Sequence, residues 1–254
     1  MAGSEAQVAP SIPQIEIRRL TRLEEFEPVY EMQKTIWKYE DYDMIPLRFF
    51  VVVVKVGGHV FGAFDGTQLV GFCFALPGIK KDGHPYLHSH MLGVLPEYRN
   101  ARVGSRLKLR QKEDALARGI ERIEWTFDPL ELKNAFLNVA KLGAIIRTYS
   151  ENLYGSTSSP LHGGLPTDRC TAEWWLRREP HTPAASAERI AYPADITQIR
   201  ATDPPRARRI QQENARRFQD AFARGLAVTG FEATATEGVY LLEPWQFHTG
   251  HYST

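Results

Sequence analysis

The stretch Leu92–Leu107, LGVLPEYRNARVGSRL, decides how this chain is read. An apolar strand ends at Val94 and Leu95, a polar turn containing Pro96 follows, and a helix opens near Val103 and Gly104. The first amides of a helix have no acceptor within the helix, and the aligned peptide dipoles add partial positive charge at that end. A turn feeding such a helix is a ready anion site. Arg99 and Arg102 lie in the turn and would strengthen it for a phosphate.

Working outward, residues 15–20 (IEIRRL) alternate as a short strand. Thr21 and Glu24 are spaced as a capping box for a helix that carries Phe26, Val29, Tyr30 and Trp37. Pro46 is expected at the first position of a second helix closed by Gly57-Gly58. The Val51–Val54 run prefers strand by propensity, but the Pro start and Gly stop favour helix. HVFGAF and QLVGFCFA flank Asp65-Gly66-Thr67 and predict a β-hairpin, whose second strand Leu76-Pro77-Gly78 should break.

Tyr86–Leu95 is the next strand, followed by a helix over Gly104–Arg118 and a strand over Arg122–Phe127. Asp128-Pro129 should open a helix ending at Leu142-Gly143, and Ala144–Tyr149 extends again. A Gly/Ser/Pro loop precedes a strand near Cys170–Leu176, and residues 179–188 read as a linker. Beyond it come a strand at Arg189–Tyr192, a helix over Pro205–Arg224 and closing strands in LAVTGFEAT and GVYLLEP. The helix has an apolar face of Ala207, Ile210, Phe218, Ala221 and Phe222, and its arginines read as a solvated face. The fold class is α+β: a mixed, mostly antiparallel sheet flanked by helices, with a C-terminal β-α-β-β extension. The expected units are 15–178 and 186–254, the second packing on the first or forming a dimer interface.

With 31 Lys and Arg against 30 Asp and Glu in 254 residues, the formal net charge is +1, which argues against bulk capture of nucleic acid. The two cysteines, Cys73 and Cys170, cannot build a disulfide framework, so a reducing compartment is expected. Residues 1–14 lack the basic and apolar regions of a secretory leader. The longest apolar run, Phe49–Val54, falls far short of the roughly 20 residues a membrane span needs. A cytoplasmic place, with no nucleic-acid or membrane partner, is the resulting expectation.

The run Val94-Leu95-Pro96-Glu97-Tyr98-Arg99 and the later Lys141-Leu142-Gly143-Ala144 resemble the V-x-P-E-Y-R and K-L-G-F elements of the GNAT superfamily of N-acetyltransferases. Trp125–Leu130 and Gly164–Arg169 are similar to a branch of that superfamily whose natural acceptor the residues do not name. The resemblance covers about residues 15–178. It implies a GNAT-like sheet and transfer of an acyl group, most simply acetyl from acetyl-CoA, to an amine of a small molecule by direct attack, with no metal. In that family the strand before the turn splays from its neighbour, and the pantetheine arm lies in the gap. Leu92, Gly93 and Val94 would then meet the pantetheine and thioester. Arg99, Asn100, Ala101, Arg102, Val103, Gly104 and Ser105 would hold the pyrophosphate, and Asn134 would hydrogen-bond the cofactor.

Two departures matter. The family's turn reads Arg/Gln-x-x-Gly-x-Gly/Ala, and Arg102 stands where its first Gly is expected. Arg102 either keeps an ordinary backbone and offers its guanidinium, or blocks the site. The tyrosine that often protonates the leaving thiolate is replaced by Val139. Candidate chemical groups are therefore His90 (with His88 on the same strand face) as base, and Asn138 and Tyr154, with Tyr149, as residues near the missing acid. The alternative is a catalytically inactive GNAT-fold module that binds acyl-CoA or regulates. His162-Gly163-Gly164 reads either as a loop covering the substrate or as plain surface. Trp125, Trp174, Trp175 and Cys73 read as core, and Cys170 lacks a sequence-adjacent activator.

Overall fold

The computed structural model describes residues 14–155, 157–160 and 163–245. Most of the stretch read for a leader, His162 of the 162–164 loop, and the last residues of the C-terminal unit lie outside the described residues. Among the described residues ten strands share one sheet: β1 (Ile15–Leu20), β2 (His59–Asp65), β3 (Gln68–Ile79), β4 (Pro85–Val94), β5 (Arg122–Phe127), β6 (Ile145–Ser150), β7 (Arg169–Trp175), β8 (Glu188–Pro193), β9 (Leu226–Ala233) and β10 (Glu237–Pro244). Their order is β1-β2-β3-β4-β5-β7-β6-β9-β10-β8, antiparallel except for the β4–β5 pair.

Helices α1 (Leu23–Trp37) and α2 (Leu47–Lys55) cover one face near β2 and β3, where Phe26, Val29, Phe50 and Val53 bury against Val60, Phe72 and Phe74. The other face takes α3 (Val103–Ala117), whose Val103 and Leu107 pack on Phe61, Ala63, Val70 and Cys73. Neighbouring residues of β2 and β3 thus point to opposite layers, as a strand's period of two requires. Beyond β7 lie α4 (Leu132–Ala135), which runs into a π-helical turn (Phe136–Lys141), then α5 (Ile196–Thr202) and α6 (Pro204–Ala223). Ala207, Phe218 and Ala221 of α6 join Tyr192, Val228 and Tyr240 in the largest core cluster.

The valine run is helical, burying Val53 while leaving Val51 and Val52 exposed. Three boundaries differ from expectation. Glu25, not Glu24, closes the start of α1 by accepting from the amides of Thr21 and Arg22. β3 runs on through Pro77-Gly78 because it has passed the end of β2 at Ala75, so the donor that proline lacks is not needed by a second neighbour. Asp128 does not start a helix; its Oδ1 accepts from the amide of Leu130 at 2.9 Å in a local turn, and helix begins at Leu132. The C-terminal strands continue the same sheet, β9 meeting β6 at Ile146↔Val228.

Candidate active site

β4 and β5 form a fork. They pair at Leu87↔Ile123 and His88↔Glu124 and no further, so Ser89 and Trp125 are the first residues beyond the vertex. On its other edge β4 keeps pairing with β3, but the register slips between Phe74↔Met91 and Ala75↔Ser89. His90 is the extra residue of this β-bulge, which bends a strand and re-aims its side chains. Gly93 is demanded by packing, since a Cβ there would lie 2.6 Å from Ile36 Cδ1 and 2.8 Å from Trp37 Cη2.

β4 leads into the turn that opened the sequence reading. Tyr98 donates to Asp65 Oδ2 at 2.8 Å and Arg106 donates to the carbonyl of Ile15, which pins the turn to the first strands. Asn100 and Arg102 take positive φ values of 68° and 61°. Arg102 therefore does not keep an ordinary backbone: it adopts the left-handed geometry that the missing glycine would supply, at a cost of about 1 kcal/mol. The first intrahelical bond runs from Arg106 N to Arg102 O, leaving the amides of Val103, Gly104 and Ser105 ahead of it at the helix start. Arg99 folds back on the end of β4, its Nε donating to Val94 O at 3.4 Å. Open amides with arginines around them fit a diphosphate.

His88 and His90 share a face of β4, as expected, with ring centroids 5.8 Å apart and His90 5.3 Å from Phe74. His90 is exposed along the strand but surrounded closely enough that desolvation lowers its pKa. Desolvation, and then the charges of His90, Lys108 and Lys80, bring His88 down to about 4. Both imidazoles are neutral at pH 7, the form that accepts a proton. Beside them Glu124 of β5 is buried and paired with Lys80. A glutamate between Ile123 and Trp125 in this strand is the sequence signal for it.

Tyr154 arrives at β5 from the loop after β6. Its hydroxyl lies 2.7 Å from Thr126 Oγ1, with the Arg169 guanidinium over its ring. The loop is strapped to the segment between α1 and α2: Ser158 donates from both N and Oγ to Asp43 Oδ2, and Ser159 donates to the carbonyl of Trp37. Tyr149 is committed elsewhere, donating to Asp168 Oδ2 at 2.7 Å and stacking on Phe218. Asn138 is buried in the π-helical turn, which packs on β9, with β7 and β6 between that strand and β5. Asn134 is exposed on α4, and Val139 is core. Both cysteines are buried, and burial pushes the Cys73 thiol up to about 12.

Residues 18–138 match the family model for the acetyltransferase (GNAT) family. This stretch is a GNAT acetyltransferase domain. No curated protein sequence matches the chain. Among solved structures it is similar to Arabidopsis thaliana NAA60 in complex with a bisubstrate analogue, at 14% identity and a TM-score of 0.53 over 64% of this chain and 98% of that one. It is also similar to a GNAT-family acetyltransferase from Streptococcus pneumoniae, at 16% identity and a TM-score of 0.51 over 63% and 98%. A third is Arabidopsis thaliana Naa50 in complex with the bisubstrate analogue CoA-Ac-MVNAL, at 15% identity and a TM-score of 0.50 over 63% and 97%. The α+β fold with its mostly antiparallel sheet is that of the GNAT domain, and the chain is an acyl-CoA-dependent acyltransferase. Among the described residues no helix is long and apolar enough to cross a membrane.

Proposed function

We propose that this acyltransferase moves an acetyl group from acetyl-CoA to the amine of a small molecule, with His90 as the base. The observation that carries the reading is the fork itself: β4 and β5 part at Ser89 and Trp125, directly upstream of a turn with open amides. The amides of Val103, Gly104 and Ser105, with Arg99 and Arg102, would hold the diphosphate. The unpaired edge of β4 over Leu92–Val94 would take the pantetheine. Backbone donors fixed at that edge would stabilise the oxyanion as the thioester carbonyl is attacked. The acceptor would enter on the face of β4 that carries His90, between the α1–α2 segment and the residues around Tyr154 and Ser158, and lose its proton to the neutral imidazole. Tyr154 and Thr126 would line that entrance.

The straps from Ser158 and Ser159 to Asp43 and Trp37 fix one side of that entrance, which favours a compact amine. The balanced charge gives no reason to expect a nucleic-acid partner. Two free, buried cysteines favour a cytoplasmic setting. The C-terminal unit, 186–254, buttresses the far end of β5: Arg200 donates to Asp128 and Glu131, and Tyr240 donates to the carbonyl of Pro129. We assign it that supporting role, with self-association through its edge strand β8 as the route to a homodimer.

Calorimetric titration of the full chain with acetyl-CoA, followed by thiol release over an amine panel, tests the reading. Binding is expected, with turnover on a subset of amines. In His90→Ala, turnover should fall by about 10²–10⁴ while binding holds, and the decline in rate below pH 6.5 should disappear. Binding with no turnover on any amine would favour a non-catalytic module, and no binding would end the acyl-CoA reading.

A further inference from the structure

On the face of the fork opposite the histidines lies a chain of buried polar groups. Lys108 of α3 is buried, with Nζ 2.9 Å from Ser89 Oγ and 3.5 Å above the centre of the Trp125 ring. Ser89 and Trp125 are the first residues past the vertex on β4 and β5, so this amine spans the point where the strands part. The Ser89 hydroxyl donates to Gln111 Oε1 at 2.9 Å, and Gln111 Nε2 lies 3.0 Å from His59 Nε2. His59 Nδ1 faces Asp114 Oδ2 at 2.8 Å, and Arg19 and Arg118 also pair with that carboxylate. Every donor in this row points away from Lys108, so Ser89 can only accept from it. The amide of Gln111 fixes the row but does not conduct protons.

Lys108 has no carboxylate partner among the described residues. The titratable groups turned to it are the Cys73 thiol from β3, His88 from β4 and, through Gln111, His59 from β2, while β1 reaches the row through Arg19 and β5 offers the Trp125 indole. An unpaired ammonium in such a place is expensive unless an anion forms beside it. Desolvation brings its pKa down to about 7, near that of a thiol. The base and this amine occupy opposite faces of the strand, so the acceptor's proton and the leaving sulfur meet different groups.

We propose that Lys108 protonates the thiolate leaving at the fork, the task for which position 139 carries valine in place of tyrosine. The inference rests on the acyl-CoA reading above. The acceptor nitrogen bonds to the acyl carbon, and the C–S bond breaks with its electron pair on sulfur. The Lys108 ammonium gives that sulfur a proton and becomes the neutral amine, the acceptor's proton goes to His90, and water reprotonates Lys108 between turnovers. Ser89 is the positioning residue that holds the ammonium over the vertex.

The test titrates the thiol of CoA bound to the full chain, read by the ultraviolet absorbance of the thiolate, with binding followed by calorimetry. Bound CoA should ionise at least one unit below the ordinary value of about 8.5. In Lys108→Met it should return to that value while CoA still binds. Ser89→Ala should move it part of the way and carries the test should Lys108→Met fail to fold. Unchanged ionisation in both variants with CoA bound would overturn the role of Lys108 alone. Acetylation of Lys108 found by mass spectrometry after incubation with acetyl-CoA would also overturn it, because an amide nitrogen has no such proton to give. Absence of CoA binding to the native chain would instead sink the acyl-CoA reading, and this inference with it.

Discussion

The long sheet has two thin joints, and they are finished in opposite ways. At the fork, β4 and β5 pair over Leu87↔Ile123 and His88↔Glu124 before parting, and at the seam β6 and β9 meet at Ile146↔Val228. Each joint carries a register slip on one strand, at His90 in β4 and at Arg147 in β6. Arg147 is tied down by two hydrogen bonds to Glu173, whereas His90 meets the rings of Phe74 and His88 and keeps an exposed edge. Apolar side chains fill the seam: Ile145, Ile146, Val228 and Phe218 are fully buried there. The fork is lined by His88, His90, Glu124, Ser89 and Lys108. An interruption of strand pairing becomes a site where titratable groups line it, and a structural hinge where hydrocarbon fills it.

The largest effect should fall on the seam. Phe218→Ala removes a fully buried ring that stacks on Tyr149 and meets Tyr240 edge-on, and should cost about 3–5 kcal/mol in denaturant unfolding. His90→Ala at the fork should change stability by less than about 0.5 kcal/mol. Comparable losses at the two joints would break the contrast.

A second measurement sharpens it through pH. Lys108 sits at about 7 when folded, below its unfolded value of about 10.4, so the unfolded chain holds that proton more tightly. Its contribution to stability therefore rises as pH climbs between those values, by at most about 1.4 kcal/mol per unit. The Cys73 thiol, pushed up to about 12 in the folded chain, acts in the opposite sense above about pH 8.5. Comparing the native chain with Lys108→Met isolates the lysine, and identical pH slopes in the two would mean that the amine is not desolvated at the vertex. The smallest effect belongs to Arg102→Gly, which relieves the left-handed backbone and should raise stability by about 0.5–1 kcal/mol. A loss of stability there would show that the Arg102 side chain contributes more than its backbone costs.

Much of this architecture could be read from local signals. The hairpin around Gly66, the Arg122–Phe127 strand, the Gly119 stop after α3 and the turn after Val94 follow from strand alternation and from glycine and proline punctuation. The strand bearing His88 and His90 was legible too, and with it their common face. The bulge at His90 was not, because a register slip is set by what β3 presents opposite it. Lys108 was equally hidden: on a helix with the pattern of α3, a lysine reads as a solvated residue until β4 and β5 close beneath it. The burial of Asn138 was hidden for the converse reason, since an amide on a helix reads as solvent-facing until the helix turns it inward.

The sequence by itself determined most of the elements, their order and the turn after Val94, because these depend on backbone freedom and apolar spacing within a few residues. The tertiary structure decided which strands part, which polar side chains lose their water, and that Arg102 would accept a glycine's conformation. Desolvation and close approach depend on groups far apart in the chain, and no local pattern encodes their meeting.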